Sequence, residues 1–157
     1  MRNKFLVNAA TLWGIGYVPF MPGTIGAFLG TVFSYFLSKM CSDCAILLAC
    51  IGLVAFAICA CSAAEHATGH KDPSHVILDE FVAMPVCFLF LRLRCAVVFL
   101  LGFLIFRAFD ILKPFGIKFF EKLHSGWGIV LDDVAAACYT NIILRVLAHA
   151  YRSEVLC

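Results

Sequence analysis

The sequence predicts an all-α, polytopic integral membrane bundle of about five spans behind an N-terminal interfacial segment, and three observations predict it. Of the 157 residues 63% are hydrophobic, and the mean hydropathy of +0.98 lies far outside the soluble range. Apolar runs of span length recur, the cleanest being Cys44 to Ala64, some 21 residues without a charge. The charged residues, only 14% of the chain, gather at the ends of these runs. Length predicts one domain over residues 1–157. A net charge of +2 made of scattered cations lacks the basic stripe of a nucleic-acid binder. Of the nine cysteines, Cys50, Cys59, Cys61, Cys87 and Cys138 lie inside apolar runs and read as reduced, small hydrophobes. Cys41 and Cys44 form a lone CxxC without the second pair that zinc would need.

Met1 to Ala10, with Arg2 and Lys4 ahead of a short apolar stretch, reads as an amphipathic segment lying at the interface. It is too short for a signal peptide and has no small-residue cleavage site before Trp13. GIGYVPFMPGTIG, from Gly14 to Gly26, holds too many helix breakers for a continuous helix and is predicted as a loop or re-entrant turn against a polar site. Thr24 to Met40 is the first span. Lys39, Ser42 and Asp43 turn the chain into the second, Cys44 to Ala64. Glu65 to Glu80 is a polar loop ending in Asp79-Glu80. Phe81 to Leu91 and Cys95 to Phe106, separated by Arg92 and Arg94, are predicted as short third and fourth spans, with a kink at Pro85; a single re-entrant hairpin is the competing reading. Ile129 to about Ala148 is the fifth. Arg2, Lys4, Lys71, Arg107, Lys113, Lys118 and Lys122 then fall on one side and Lys39, Arg92, Arg94, Arg145 and Arg152 on the other. The excess places the first set, and the N-terminus, in the cytoplasm.

The stretch from Phe106 to Asp133 concentrates the charge. Arg107, Asp110 and Lys113 are three residues apart on one helix face that Pro114 ends or kinks, and Asp132-Asp133 heads the last span. With Asp79 and Glu80, five carboxylates fall on one membrane face, beside Arg107 and Lys113. Such groups persist next to hydrocarbon only when they face a cavity, a metal or a cation. All-oxygen donors suit Mg²⁺ together with a substrate phosphate, the metal polarising a phosphoryl oxygen and the cations neutralising the transferring group. Neighbouring helical residues point about 100° apart, so Asp132 and Asp133 cannot both face one metal unless the helix begins between them. One is then a ligand and the other a supporting or general-base group. A simple Arg107–Asp110 ion pair, or acids favouring a helix N-terminus, explains any one pair but not five carboxylates on one face. His124 is either a proton donor to a leaving alkoxide or an interfacial histidine with no role. His66, His70 and His75 read as solvated loop. Trp13, Tyr17 and Trp127 read as headgroup-level anchors, and Lys118 and Lys122 as contacts to anionic lipid.

PGTIG (Pro22–Gly26), ILDEFVA (Ile77–Ala83), FRAFDILKP and GWGIVLDD resemble the successive signatures of the phosphatidylglycerophosphatase A family, in order and spacing, from about Leu12 to Leu147. Ala83 and Ala137 stand where the family usually has glycine, and Gly116 where it usually has proline. The resemblance implies an integral-membrane, Mg²⁺-dependent hydrolysis of phosphatidylglycerophosphate to phosphatidylglycerol and phosphate. On residues and resemblance together, Asp79, Asp133 and His124 are assigned to catalysis. Arg107, Lys113 and Thr24 are assigned to the phospholipid substrate, and Glu80, Asp110 and Asp132 to Mg²⁺. The enzyme is expected in the inner (cytoplasmic) membrane, multi-pass, with its site facing the cytoplasm and no nucleic-acid partner. A small transporter or structural membrane protein is the alternative, but no internal repeat supports it. The DG…AR…G…D…D pattern of CDP-alcohol phosphotransferases and the PSGH-type signature of histidine phosphatases are both missing.

Overall fold

The computed structural model describes residues 4–91, 95–114, 116–120 and 123–150. Its elements are α1 (Lys4–Ala10), a 3-10 turn (Ile15–Tyr17), α2 (Pro22–Met40), α3 (Asp43–Thr68), α4 (Leu78–Cys87), α5 (Ala96–Leu112), α6 (Ile117–Phe120) and α7 (Gly126–Ala150), with no strand among the described residues. Arg2, Arg92, Arg94, Lys122 and Arg152, on which the charge-sidedness count partly rests, lie outside the described residues, as does the Lys118 side chain.

Local chemistry sets the helix ends. Pro22 opens α2 at the first helical position, where its missing N–H costs nothing. Ser42 caps α3, its Oγ accepting from Ala45 N at 3.4 Å, and Gly69 closes α3 in the left-handed region at φ +72°. Among the described residues α3 is the one helix long and apolar enough, by length and composition, to cross a membrane. α7 has the length, at 25 residues, but carries Asp132, Asp133, Asn141 and Arg145.

The expected third span, Phe81 to Leu91, takes a different form. α4 has 10 residues, about 15 Å of rise and half the thickness of a hydrocarbon core. Pro85 sits in its last turn instead of kinking a longer helix. The carbonyls left over at that end are taken up by α7. Asn141 Nδ2 donates to the Val86, Cys87 and Leu89 carbonyls at 3.4, 2.9 and 3.0 Å. Arg145 donates from Nε to Asn141 Oδ1 at 2.7 Å and from Nη2 to Leu89 O at 2.9 Å. Sequence reasoning passed over Asn141, although an amide in an apolar run is the same kind of signal as the acids. Removing it takes the donor from the Cys87 carbonyl and one of two donors from those of Val86 and Leu89, at about 2–3 kcal/mol. Asn141→Leu is therefore expected to lower the melting temperature in detergent by roughly 5–10 °C. An unchanged melting temperature would mean that the clamp does not stabilise α4.

α4 lies among α2, α3 and α7, and small residues let the helices approach. A Cβ on Gly26 would lie 2.7 Å from the Ile77 carbonyl oxygen, and one on Gly30 would crowd the Phe81 carbonyl. Ala83 and Ala137 are fully buried in the cluster that joins α4, α5 and α7. Gly126 meets α3 in the same close manner, its N–H donating to Ser62 Oγ at 3.0 Å. The α1 segment is tied to the chain ahead of α4, Ile77 N donating to Ala10 O at 3.0 Å. The first turns of α2 and α4, the last turns of α5 and the early turns of α7 thereby converge.

Candidate active site

Asp79 and Glu80 occupy the first turn of α4. α7 begins at Gly126, three residues before the expected span, so Asp132 and Asp133 lie more than a turn inside the helix and not at its head. That weakens their reading as simple N-terminal charges, because the dipole effect fades within the first turn. It also means the helix runs unbroken through both, and their side chains diverge. Asp133 turns toward α4, where carboxylate oxygens of Asp79, Glu80 and Asp133 all lie within 4.8 Å of one another. Asp132 turns away, its Oδ2 accepting from Lys113 Nζ at 2.6 Å.

The trio is costly to bury. Asp79 and Asp133 are only 6% and 4% exposed. Two like charges separated by 4.8 Å repel by roughly 3 kcal/mol at an effective dielectric of ~20, so three pairs approach the stability of a whole domain. Positive charge or protons must therefore lie among them. Asp79 Oδ1 and Glu80 Oε2 are buried without a hydrogen-bond partner, as is Thr24 Oγ1 in the first turn of α2. Unsatisfied buried oxygens beside crowded carboxylates are what a hard cation with a phosphate ligand would complete. The donor set thus fits Mg²⁺.

The flanking residues come from α2 and α5. Gly23 lies so close to Glu80 that a Cβ there would overlap Glu80 Oε1, and that same position is 3.7 Å from Arg107 Nη1. Arg107 donates to Asp110 one turn along α5, and the Asp110 carboxyl lies beside that of Asp133. α5 ends at Leu112, and Lys113 caps it in the left-handed region at φ +43° before Pro114. This turn aims the ammonium across to Asp132.

Asp79, Glu80 and Asp133 therefore lie together with Asp110 and Arg107 beside them, Asp132 and Lys113 form a separate pair, and Thr24 follows Gly23 in the first turn of α2. The three carboxylates that lie close enough together to share one metal ion are Asp79, Glu80 and Asp133. Sequence reasoning had assigned Glu80, Asp110 and Asp132 to the metal. His124 is exposed on the turn before α7, and no described contact joins it to the carboxylates. Gly23 was missed, although it lies inside the quoted PGTIG.

The chain matches the family model described as Phosphatidylglycerophosphatase A over residues 8–148. It is 36% identical to a Bacteroides thetaiotaomicron protein provisionally named phosphatidylinositol-3-phosphatase, over 92% of this chain and 95% of that protein. It is 34% identical to the phosphatidylglycerophosphatase A of Haemophilus influenzae, over 87% of this chain and 85% of the relative. With the phosphatidylglycerophosphatase A of Escherichia coli the identity is 28%, over 92% and 84%. No solved structure matches.

Proposed function

The chain belongs to the phosphatidylglycerophosphatase A family, and from that premise we propose that it hydrolyses phosphatidylglycerophosphate to phosphatidylglycerol and phosphate in a Mg²⁺-dependent reaction. The observation that carries this reading is the close-set trio of buried Asp79 and Asp133 with half-buried Glu80, two of whose carboxylate oxygens lack partners. These three would hold the metal, which when bound supplies positive charge to the phosphoryl oxygens. Arg107, close to Gly23, and Thr24, next to Gly23 in the chain, would take the phosphate, the guanidinium being suited to two oxygens at once. Lys113 adds a second cation, held in place by Asp132. Water attacks phosphorus as the bond from phosphorus to the glycerol oxygen breaks, and the proton the water gives up is matched by the one the leaving glycerol oxygen takes up. His124 has no part in this scheme.

The same reading places the protein in the inner membrane, multi-pass, with the site toward the cytoplasm. Support for the membrane setting is the outer surface. Phe36 on α2, Leu48 on α3, Leu100 on α5 and Val146 on α7 are 59%, 70%, 59% and 62% exposed, an apolar exterior on helices besides the one of full span length.

The test is phosphate release from phosphatidylglycerophosphate in mixed micelles, with phosphatidylinositol 3-phosphate as competitor because of the Bacteroides relative's name. Turnover of the first lipid in Mg²⁺, abolished by EDTA and restored by added Mg²⁺, is the expected result. Full activity in EDTA would remove the metal from the scheme, and preference for the inositol lipid would replace the substrate.

A further inference from the structure

A polar pocket of about 250 Å³ opens beside Asp132, between the loop that follows α3 and the first two turns of α7. Lys71 and Asp72 line it from the loop, and Gly128, Ile129 and Asp132 line it from α7. Asp132 ties the pocket to the active site, because its Oδ2 accepts from Lys113 at 2.6 Å and its chain neighbour Asp133 belongs to the carboxylate trio. Resting on the lipid-phosphatase reading, we propose that this pocket holds the part of the substrate that the reaction leaves behind, the glycerol and its phosphodiester. Lys71 pairs with the diester phosphate and Asp72 accepts from the glycerol hydroxyl, so that the enzyme selects phosphomonoesters that carry a second, diester phosphate.

The loop is built to keep these two residues in place. Gly69 ends α3 in the left-handed region, and Asp72 takes the same region at φ +50°, which aspartate adopts more readily than most side chains. Pro73 is buried, Val76 N donates to Pro73 O at 2.8 Å, and Ile77 N donates to Ala10 O at 3.0 Å. The 3-10 turn packs on the loop as well, the Tyr17 ring stacking on that of His75 at 5.0 Å.

The lining decides among occupants. Three charged side chains make the pocket unfit for an acyl chain, and a lysine among them opposes a second metal ion. The volume equals the share of about eight water molecules in the liquid, room for a headgroup fragment and not for a whole lipid. Lys113 offsets the charge of Asp132, and Lys71 and the first turn of α7 both favour an anion. Asp72 repels that anion but suits the hydroxyl beside it, and a glycerol phosphodiester supplies both groups. The spacing agrees. Pocket and trio meet at adjacent residues of α7, whose Cα atoms stand about 3.8 Å apart, and a single glycerol joins the two phosphates of the substrate.

Inhibition by two soluble probes separates the pocket from the trio. Glycerophosphoglycerol carries the phosphodiester and glycerol hydroxyls without acyl chains or a phosphomonoester, whereas inorganic phosphate carries only what the trio and its metal would take. With phosphatidylglycerophosphate in mixed micelles and Mg²⁺, Lys71→Gln is expected to raise KM and weaken inhibition by glycerophosphoglycerol, each by about five- to tenfold. The loss should fall on KM more than on kcat. Inhibition by inorganic phosphate should change by less than about twofold, because the trio lies apart from Lys71. Asp72→Asn, which keeps the shape and the tolerance of positive φ, should weaken glycerophosphoglycerol by about threefold. Both residues are exposed, so both variants should fold. Lys4→Gln removes the same charge from an exposed position outside the pocket and should leave both inhibitors at wild-type strength. Equal weakening of the two inhibitors in Lys71→Gln, an equal effect of Lys4→Gln, or unchanged inhibition by glycerophosphoglycerol in Lys71→Gln would overturn the assignment. Wild-type protein that hydrolyses no lipid phosphomonoester overturns the catalytic reading and the pocket with it, whereas lipid turnover indifferent to Lys71→Gln removes the pocket alone.

Discussion

Asp133→Asn is expected to abolish phosphate release and, in the same protein, to raise the melting temperature measured without metal. Both effects follow from three crowded carboxylates, Asp79 and Asp133 buried and Glu80 half-buried, with oxygens within 4.8 Å of one another. Removing one charge relieves two repulsive pairs, so the metal-free fold gains stability. It also removes a ligand, so turnover should fall by roughly 10³-fold or more. The rise in melting temperature that Mg²⁺ gives the wild-type protein, a consequence of binding to the folded state, should disappear. Asp79→Asn and Glu80→Gln should behave alike. Asp132→Asn should not, because its carboxylate accepts from Lys113 at 2.6 Å and stands outside the trio. Loss of a residue that holds another group in place costs about 10–100-fold, and the Mg²⁺-induced stabilisation should survive. If Asp132→Asn lost that stabilisation while Asp133→Asn kept it, the roles of the two aspartates would have to be exchanged.

The sequence made some of this legible for a definite physical reason. Charge is so costly next to hydrocarbon that the few acids stand out, and the helix period alone requires Asp132 and Asp133 to diverge. Which of them turns toward Asp79 and Glu80 depends on the rotation of α7, fixed by Gly126 against α3 and by Asn141 against the end of α4. Those are long-range contacts that periodicity does not encode. Boundaries failed for a related reason. Phe81 to Leu91 is apolar enough to read as a span, but α4 ends just after Pro85, and its end is held by Asn141 and Arg145 on α7, more than fifty residues later. Breaker density reads the stretch from Gly14 as loop, with the first span beginning at Thr24. The helix starts two residues earlier, at Pro22, so Gly23 belongs to the first turn of α2 together with Thr24.

Gly23→Ala tests that turn with the smallest change available, one carbon. A Cβ at Gly23 would overlap Glu80 Oε1, the far end of a flexible side chain that can swing aside. The fold should therefore tolerate it, with a melting temperature within a few degrees of wild type; an exposed loop-like glycine would tolerate it as well. The carboxylate cannot move by an ångström or more, however, and stay grouped with Asp79 and Asp133. A displacement of that size costs on the order of 10²-fold in rate. Gly26→Ala, one turn on, is the opposite case. Its Cβ would stand 2.7 Å from the Ile77 carbonyl oxygen, a backbone atom, so α2 and α4 would have to separate. Destabilisation of about 1–3 kcal/mol is expected there, with activity falling only as folded protein is lost. Circular-dichroism melts and phosphate release on the two variants separate the outcomes. Gly23→Ala with wild-type turnover would show that Glu80 does not need its present position, and the metal would then rest on Asp79 and Asp133 alone.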